Sequence, residues 1–460
     1  MLYLVVVIGG VFPVDFFFRE EKTMDEAYKL KRKLNKAMQE EISKWKVRRT
    51  FEEQKRDFTR ETKLTVETMV RLMLTMEGGV LEDEIPKAGL DVTPAAISQR
   101  RKALYIELFN EIFYRFNRLC DDNKLYKGYR VLAVDGTAIN IARNPNDKKT
   151  FIKTKKNPRG YNQMTVTIVY DVLSKTFVEY DLNRDERGAL EFMLDWNDDF
   201  TYGHGKPLFV CDRGYESYFL LGHFLSHKDA DFLIRVKQGK GAMREIAKLP
   251  MEELDTDLDF TITTTQTNAD KAAGYVFIQT QKKGKQYSEH TRAARWNYGS
   301  PFRMKFRVVR IKLDNGNFET LITSLPRSIT VESIKELYHS RWGIELAFRE
   351  LKYSIALNRI HGRSKDFAMQ ELVSAFITAN FVSRLASTIV IDKKNTRYEY
   401  ALNRRKAVRL CKEYLRRENA DGKELVEMMS RYLVAVRPDR ANERNLKPKS
   451  FHGFVYRIPS

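Results

Sequence analysis

Two short runs constrain this chain more than any other feature: "VLAVDGT" at 131–137 and "LFVCDRGY" at 208–215. Each is a block of four apolar residues closed by an aspartate, Asp135 in the first and Asp212 in the second. A strand solvated on one face alternates apolar and polar residues. An unbroken apolar block instead fits a strand buried on both faces, central in a sheet covered by helices. If the two strands are neighbours, the two carboxylates emerge together at one edge. Burying like charges together is costly unless a cation neutralises them. For either residue alone the plain alternative is a turn or a helix cap, which an aspartate at a strand end commonly makes.

The surrounding texture agrees with a mixed α/β sheet covered on both faces. "YNQMTVTIVYDVLSKTFVEYDL" alternates as two strands around a turn at "LSK", and "DERGALEFMLDWNDDF" is helical. A helix around "YFLLGHFLSH" and the strand "DFLIRVK" follow. Residues 240–326 break the alternation with "DFTITTTQT", "GYVFIQTQ", "FRVVRIKL" and "FETLITSL", which predicts a β-rich insertion. The α/β region is therefore expected in two parts, 127–239 and 327–398.

Residues 24–126 read as helices, and 399–460 as basic helices ("NRRKAVRLCKEYLRR", "KELVEMMSRYLVAV") ending in a basic tail. Within the first region "LTVETMVRLMLTM", "VLEDEIPKAG" and "TPAAISQRRKALYIELFNEIF" give three successive helical patterns, the last opened by Thr93 as N-cap and Pro94. That last helix carries Ser98, Gln99, Arg100, Arg101 and Lys102, the candidate DNA-recognition residues of a helix-turn-helix-like arrangement. A plain helical bundle with a basic last helix would look the same. Residues 1–23, "MLYLVVVIGGVFPVDFFF" onward, form an apolar leader of doubtful origin. The run is too short to span a bilayer comfortably and lacks the charged start of a signal peptide; a peripheral anchor is the alternative.

Charge narrows the class of partner. The 460 residues hold 81 Lys and Arg against 61 Asp and Glu, a formal +20 spread along the whole chain. A polyanion is the natural partner of such a field, which favours an enzyme of DNA or RNA over a membrane protein. Cys120, Cys211 and Cys411 are odd in number and far apart, so neither a disulfide framework nor a thiolate zinc site is expected, and a reducing cytoplasm fits. His223 and His227 share a helical spacing, but "HFLSH" lacks the glutamate of a zinc-protease helix.

The stretch "LYHSRWGIELAFRELKYS", 337–354, adds a third acid. Projected as one helix at about 100° per residue, Tyr338, Arg341, Glu345 and Lys352 fall within about 60° of one another, beside an apolar stripe of Leu337, Ile344, Phe348 and Leu351. A phenol, a guanidinium, a carboxylate and an ammonium along one edge suit a phosphate beside a metal, although a solvated face with an incidental Arg-Glu pair has the same pattern. With Asp135 and Asp212, Glu345 makes three hard oxygen donors, a set that favours Mg2+ or Mn2+ over zinc. Two such ions about 4 Å apart can activate a water or a 3′-hydroxyl and stabilise the leaving oxygen of a phosphodiester. Glu350, Asp171 and Glu186 compete as third acids, but Glu350 lies off the polar stripe, Asp171 fits a hairpin loop and Glu186 fits a first helical turn.

The series Tyr338, two residues, Arg341, three residues, Glu345, six residues, Lys352 resembles the Y-R-E-K signature of the bacterial insertion-sequence DDE transposases of family four. "VLAVDGT" and "LFVCDRGY" are similar to that family's first and second acid motifs, in order, and the resemblance runs from about residue 60 to "KPKSFHGF" near the end. It implies an RNase H-like core (127–239 and 327–398) interrupted by the β-rich insertion, with Asp135, Asp212 and Glu345 as catalytic acids and metal ligands. It also implies phosphate binding by Tyr338, Arg341 and Lys352, and a tryptophan that stacks a flipped base, for which Trp296 and Trp342 are the candidates.

The resulting expectation is a DNA transposase that binds the ends of its own element and, with two Mg2+ or Mn2+ ions, hydrolyses and rejoins phosphodiesters by cut and paste. Its partners would be double-stranded terminal repeats and target DNA, bound as a homodimer, in a bacterial nucleoid-associated location without a membrane. Two other readings stand beside it: an inactive or domesticated DNA-binding relative, and an RNase H-like nuclease that does not join strands.

Overall fold

The structure, a computed structural model, describes residues 14–51, 53, 58, 62–182, 186–195, 204–226, 229–238, 243–278, 296, 298–355, 357, 359–391 and 398–436. Leader residues 1–13 and the "KPKSFHGF" segment lie outside them. The first five helices are α1 (Val14–Phe51), α2 (Val66–Thr75), α3 (Leu81–Lys87), α4 (Pro94–Arg101) and α5 (Ile106–Leu119). Next come strands β1 (Tyr129–Ile141), β2 (Phe151–Thr154), β3 (Asn157–Asp171) and β4 (Thr176–Leu182), then α6 (Glu186–Asp195) and β5 (Lys206–Cys211). α7 (Tyr218–Ser226), β6 (Asp231–Arg235), α8 (Arg244–Ala247), β7 (Leu254–Thr263), α9 (Asn268–Ala272), β8 (Val276–Phe277), β9 (Phe302–Lys312) and β10 (Phe318–Thr323) follow. The chain ends with α10 (Val331–Ser340), α11 (Trp342–Arg349), α12 (Lys365–Thr388), β11 (Glu399–Leu402), α13 (Arg404–Arg416), α14 (Gly422–Arg431) and β12 (Leu433–Val436). These elements fall into two compact units, one of residues 1–121, 139–163 and 348–460, the other of 122–138 and 164–347.

The first unit is mostly helical and is built around α12, which is buried almost throughout from Ala368 to Leu385. Phe109, Phe113 and Phe116 stand three and four residues apart on α5 and are fully buried, Phe113 meeting Phe376 of α12 at 6.1 Å. Thr93 caps α4 as its sequence predicts, its hydroxyl accepting from the Ala96 amide at 3.2 Å, with Pro94 in the first helical position. The helix expected across 93–113 is two, α4 and α5, separated at Lys102–Tyr105. At the break the Gln370 amide donates to the Arg101 and Leu104 carbonyls at 3.2 and 2.6 Å, and Arg101 turns inward, its guanidinium meeting Glu371 at 3.0 Å, Gln370 at 3.2 Å and the Phe367 carbonyl at 2.9 Å. "YLVAV" after α14 is likewise not helix; Leu433–Val436 pairs with β11 as an antiparallel two-stranded sheet, in keeping with its β-branched alternation.

The second unit is a mixed α/β structure with a large sheet. The sheet's strand order is β2–β3–β1–β5–β6–β10–β9–β7–β8, with β4 paired to β3 beside that path, β1–β5 and β5–β6 parallel and β6–β10–β9–β7 antiparallel. Strand alternation gives the sheet two cores. Leu132, Val134, Phe209 and Cys211 join Leu220 and Leu221 of α7 on one face; Val131, Leu208 and Val210 join Ile334, Leu337 and Tyr338 of α10 on the other. The β-rich segment expected at 240–326 is no separate layer. β10 hydrogen-bonds to β6 in register Ile322↔Ile234 and β9 to β10, so the inserted strands extend the same sheet. Along β7 the acids Asp255, Asp257 and Asp259 are matched by Arg307, Arg327 and Arg303.

Candidate active site

The parallel register places the two aspartates. Val134 pairs with Cys211, so Asp135 and Asp212 are the next residues on neighbouring strands. Counting by twos from Val131 and Leu208 puts both on the α10 face of the sheet. β1 does not end at Asp135, as its sequence suggests, but runs on to Ile141; only its pairing with β5 ends there. Asp212 closes β5 and caps a short 3-10 turn, its Oδ1 accepting from the Gly214 amide at 2.7 Å. Asp212 thus caps a turn while lying close enough to Asp135 to act on its carboxyl. Gly214 is small for cause: a Cβ there would stand 2.9 Å from Asp212 Oδ1.

The predicted 337–354 helix breaks at Arg341, where α10 gives way to α11, and ends in a π turn at Glu350–Ser354. Tyr338, Arg341 and Glu345 still lie together across the break. Arg341, whose side chain is only 9% exposed, lies 3.1 Å from Glu345 Oε1 and 3.7 Å from Asp135 Oδ2, and so is shared by two of the three acids. Burial pushes the Asp135 carboxyl up to about 6; the Gly136 amide and Arg341 oppose this, while Asp212 and Glu345 reinforce it. Asp135 therefore feels both other acids. Its Oδ1 accepts from the Gly136 amide at 2.9 Å.

Tyr338 is buried beneath this group, its ring 5.8 Å from the Arg341 guanidinium and its hydroxyl without a hydrogen-bond partner. Burial raises its phenol above the ordinary value, while Arg341 and Arg235 lower it. Arg235, at the end of β6 and 3.3 Å from Glu319, is a cation near the site that sequence reasoning missed. Only the pairing of β6 with β5 points to it, and that pairing is not legible in a sequence. Cys211, one residue before Asp212, is fully buried and burial holds its thiol well above the usual range. Among the described residues no group of three His, Cys, Asp or Glu side chains is gathered closely enough to hold a metal ion.

The other sequence candidates divide. Trp342 is 47% exposed and its ring stacks on His339 at 6.4 Å, whereas Trp296 packs edge-on against Tyr298 at 4.9 Å and Phe302 at 5.3 Å. Lys352 belongs to the first unit and is partly exposed on the π turn. On α4 and just beyond it, Gln99 and Lys102 are exposed and Ser98 and Arg100 half-buried, with the Arg100 guanidinium 5.0 Å over Phe58. Arg101 is 1% exposed and its guanidinium is committed to Glu371, so as a direct reader of DNA it is withdrawn. Of the competing acids, Asp171 is paired with Arg130 at 2.7 Å and Glu350 with Arg404 at 3.0 Å; the Glu186 side chain lies outside the described residues.

Fold and site together define an α/β protein with three carboxylates, an arginine and a buried tyrosine on one sheet face. Residues 126–381 match the family model of the transposase DDE domain, more than half of the chain, and the protein belongs to that family. Among solved structures it is similar to the piggyBac transposase synaptic complex with hairpin DNA, at 10% identity and a TM-score of 0.42, over 86% of this chain and 83% of that one. No curated protein sequence matches it. Among the described residues no helix is long and apolar enough to cross a membrane.

Proposed function

We propose that this transposase cuts DNA at the ends of its own insertion sequence and joins the freed 3′-hydroxyl to a target strand, by cut and paste. The observation that carries the reading is the register: Asp135 and Asp212 follow the Val134–Cys211 pair on one face, where Arg341 links Asp135 to Glu345. The strand order β3–β1–β5–β6, with an acid on β1 and another directly after β5, supports an RNase H-like core extended by the inserted strands. The Y-R-E-K spacing supports assignment to family four.

The residues fit a divalent metal by the chemistry of their donors. All three are hard carboxylate oxygens, and Asp135 carries a desolvation cost that Arg341 alone does not cancel. Mg2+ or Mn2+, as two ions, would lower the pKa of the attacking water or hydroxyl and stabilise the leaving oxygen. Asp135, Asp212 and Glu345 would hold it, competing with Arg341 for the same oxygens. Arg341 and Lys352 then bind phosphate oxygens, a guanidinium bidentately and an ammonium as a point charge, and the Tyr338 hydroxyl donates a hydrogen bond. Trp342, 47% exposed with its ring on His339, and Trp296, packed against Tyr298 and Phe302, are the candidates to stack a displaced base. The net charge of +20 supports double-stranded DNA as partner, with Gln99, Arg100 and Lys102 contributing contacts and a homodimer pairing the two ends.

Cleavage and joining of a labelled duplex carrying the repeats that flank this gene, with Mg2+, test the reading. Wild type is expected to cut and join, and Glu345→Gln to bind the duplex without cutting. Specific binding by the wild type without any cutting would favour an inactive DNA-binding relative, and cutting without joining a nuclease.

A further inference from the structure

Lys352 does not stand on an ordinary helical turn. Residues Glu350–Ser354 form a π turn, closed by a bond from the Ile355 amide to the Glu350 carbonyl at 3.0 Å, and the Leu357 amide reaches back to Leu351 at 3.0 Å. Such turns are rare, occur mostly as single bulges and concentrate at functional positions. Widening the helix here changes the direction in which Lys352 leaves it, compared with a continuous α-helix from Glu345.

A side-chain pair ties this turn to two helices of the same unit. Glu350 opens the turn; its Oε2 accepts from Arg404 Nε at 3.0 Å, and Arg404 Nη2 donates to Ser383 Oγ at 2.9 Å. Arg404 is the first residue of α13, which Asn403 caps, and Ser383 lies on buried α12. The Glu350 side chain is 15% exposed and its Oε1 is buried without a hydrogen-bond partner. Burial pushes its carboxyl up, against Arg404.

With Arg404 36% exposed and the Glu350 carboxylate left with one buried oxygen unsatisfied, the pair is a poor source of stability. What it supplies is a single geometry. We infer that Glu350 and Arg404 are positioning residues that fix the π turn and thereby hold Lys352 in one orientation. The inference rests on the reading of Lys352 as a phosphate-binding lysine.

The test is single-turnover cleavage of the same flanking-repeat duplex with Mg2+ by the full-length protein. Lys352→Ala and Glu350→Leu are each expected to slow cleavage by about 100-fold, the scale of a misplaced reacting group. The double variant should be no slower than the worse single one, and Glu350→Gln, which still accepts from Arg404, should restore most of the rate. If Glu350→Leu does not fold, Glu350→Leu with Arg404→Met replaces the pair by apolar volume and is expected to fold and to cleave slowly. Losses that multiply in the double variant, or wild-type cleavage by Glu350→Leu while Lys352→Ala is slow, overturn the inference alone. Wild-type cleavage by Lys352→Ala overturns both it and the phosphate-binding reading.

Discussion

At the scale of single residues, Asp135 is where the site costs the fold most. Its carboxyl titrates near 6 in the folded protein against 3.8 when unfolded, so the folded state binds the proton more tightly. The cost is absent below about pH 4, grows as the pH rises to about 6 and is complete above that, reaching about 3 kcal/mol as an upper bound. Asp135→Asn is therefore expected to stabilise the metal-free protein at pH 7, and the two urea curves to converge at pH 4. Equal stability at pH 7 would mean the burial cost is already offset. Gly214→Ala makes the opposite kind of change. Its Cβ would push on Asp212 Oδ1, so cleavage is expected to fall by about 100-fold while the melting temperature moves little. Neither effect was legible beforehand: the sequence names the acids, but their burial and the Gly214 contact depend on packing.

At the scale of elements, local pattern and tertiary demand can be separated. Apolar blocks and strong caps were readable, as the strands around Asp135 and Asp212 and the Thr93 cap show. Breaks were not, because each answers a distant partner: α4 ends where Arg101 turns to Glu371, and the 337–354 helix divides at Arg341, which faces Asp135 and Glu345. A helical projection brought Tyr338, Arg341 and Glu345 together because the break falls between regular turns; beyond Glu350 the π turn makes the same projection unreliable. Arg101→Ala should cost about 3–5 kcal/mol in urea unfolding, because buried Glu371 keeps the His361 and Gly362 amides but loses its guanidinium counter-charge. Lys102→Ala is expected to stay within about 0.5 kcal/mol but to lower the salt slope of DNA binding by about one. An unchanged slope would remove Lys102 from the DNA interface.

At the scale of the whole molecule, the sheet explains why the inserted strands cannot be read as a detachable part. Their β texture was visible in the sequence, yet their destination was not, since nothing local says that β10 will pair with β6. Deleting residues 240–326 would remove β7 to β10 and bare one edge of β6. The shortened protein is expected to lose cooperative thermal unfolding, seen by circular dichroism, rather than to yield a smaller folded core. A sharp transition in the deletion would make the insertion an independent module after all. The central proposal concerns the whole as well: two strands far apart in sequence and one helix supply Asp135, Asp212 and Glu345 as ligands that a divalent ion would draw together. Mn2+ binding followed by electron paramagnetic resonance, with end DNA present, tests it most directly. Asp135→Asn, Asp212→Asn and Glu345→Gln should each lose bound Mn2+ while Trp342→Ala keeps it; wild-type Mn2+ binding in any of the three acid variants would contradict the claim.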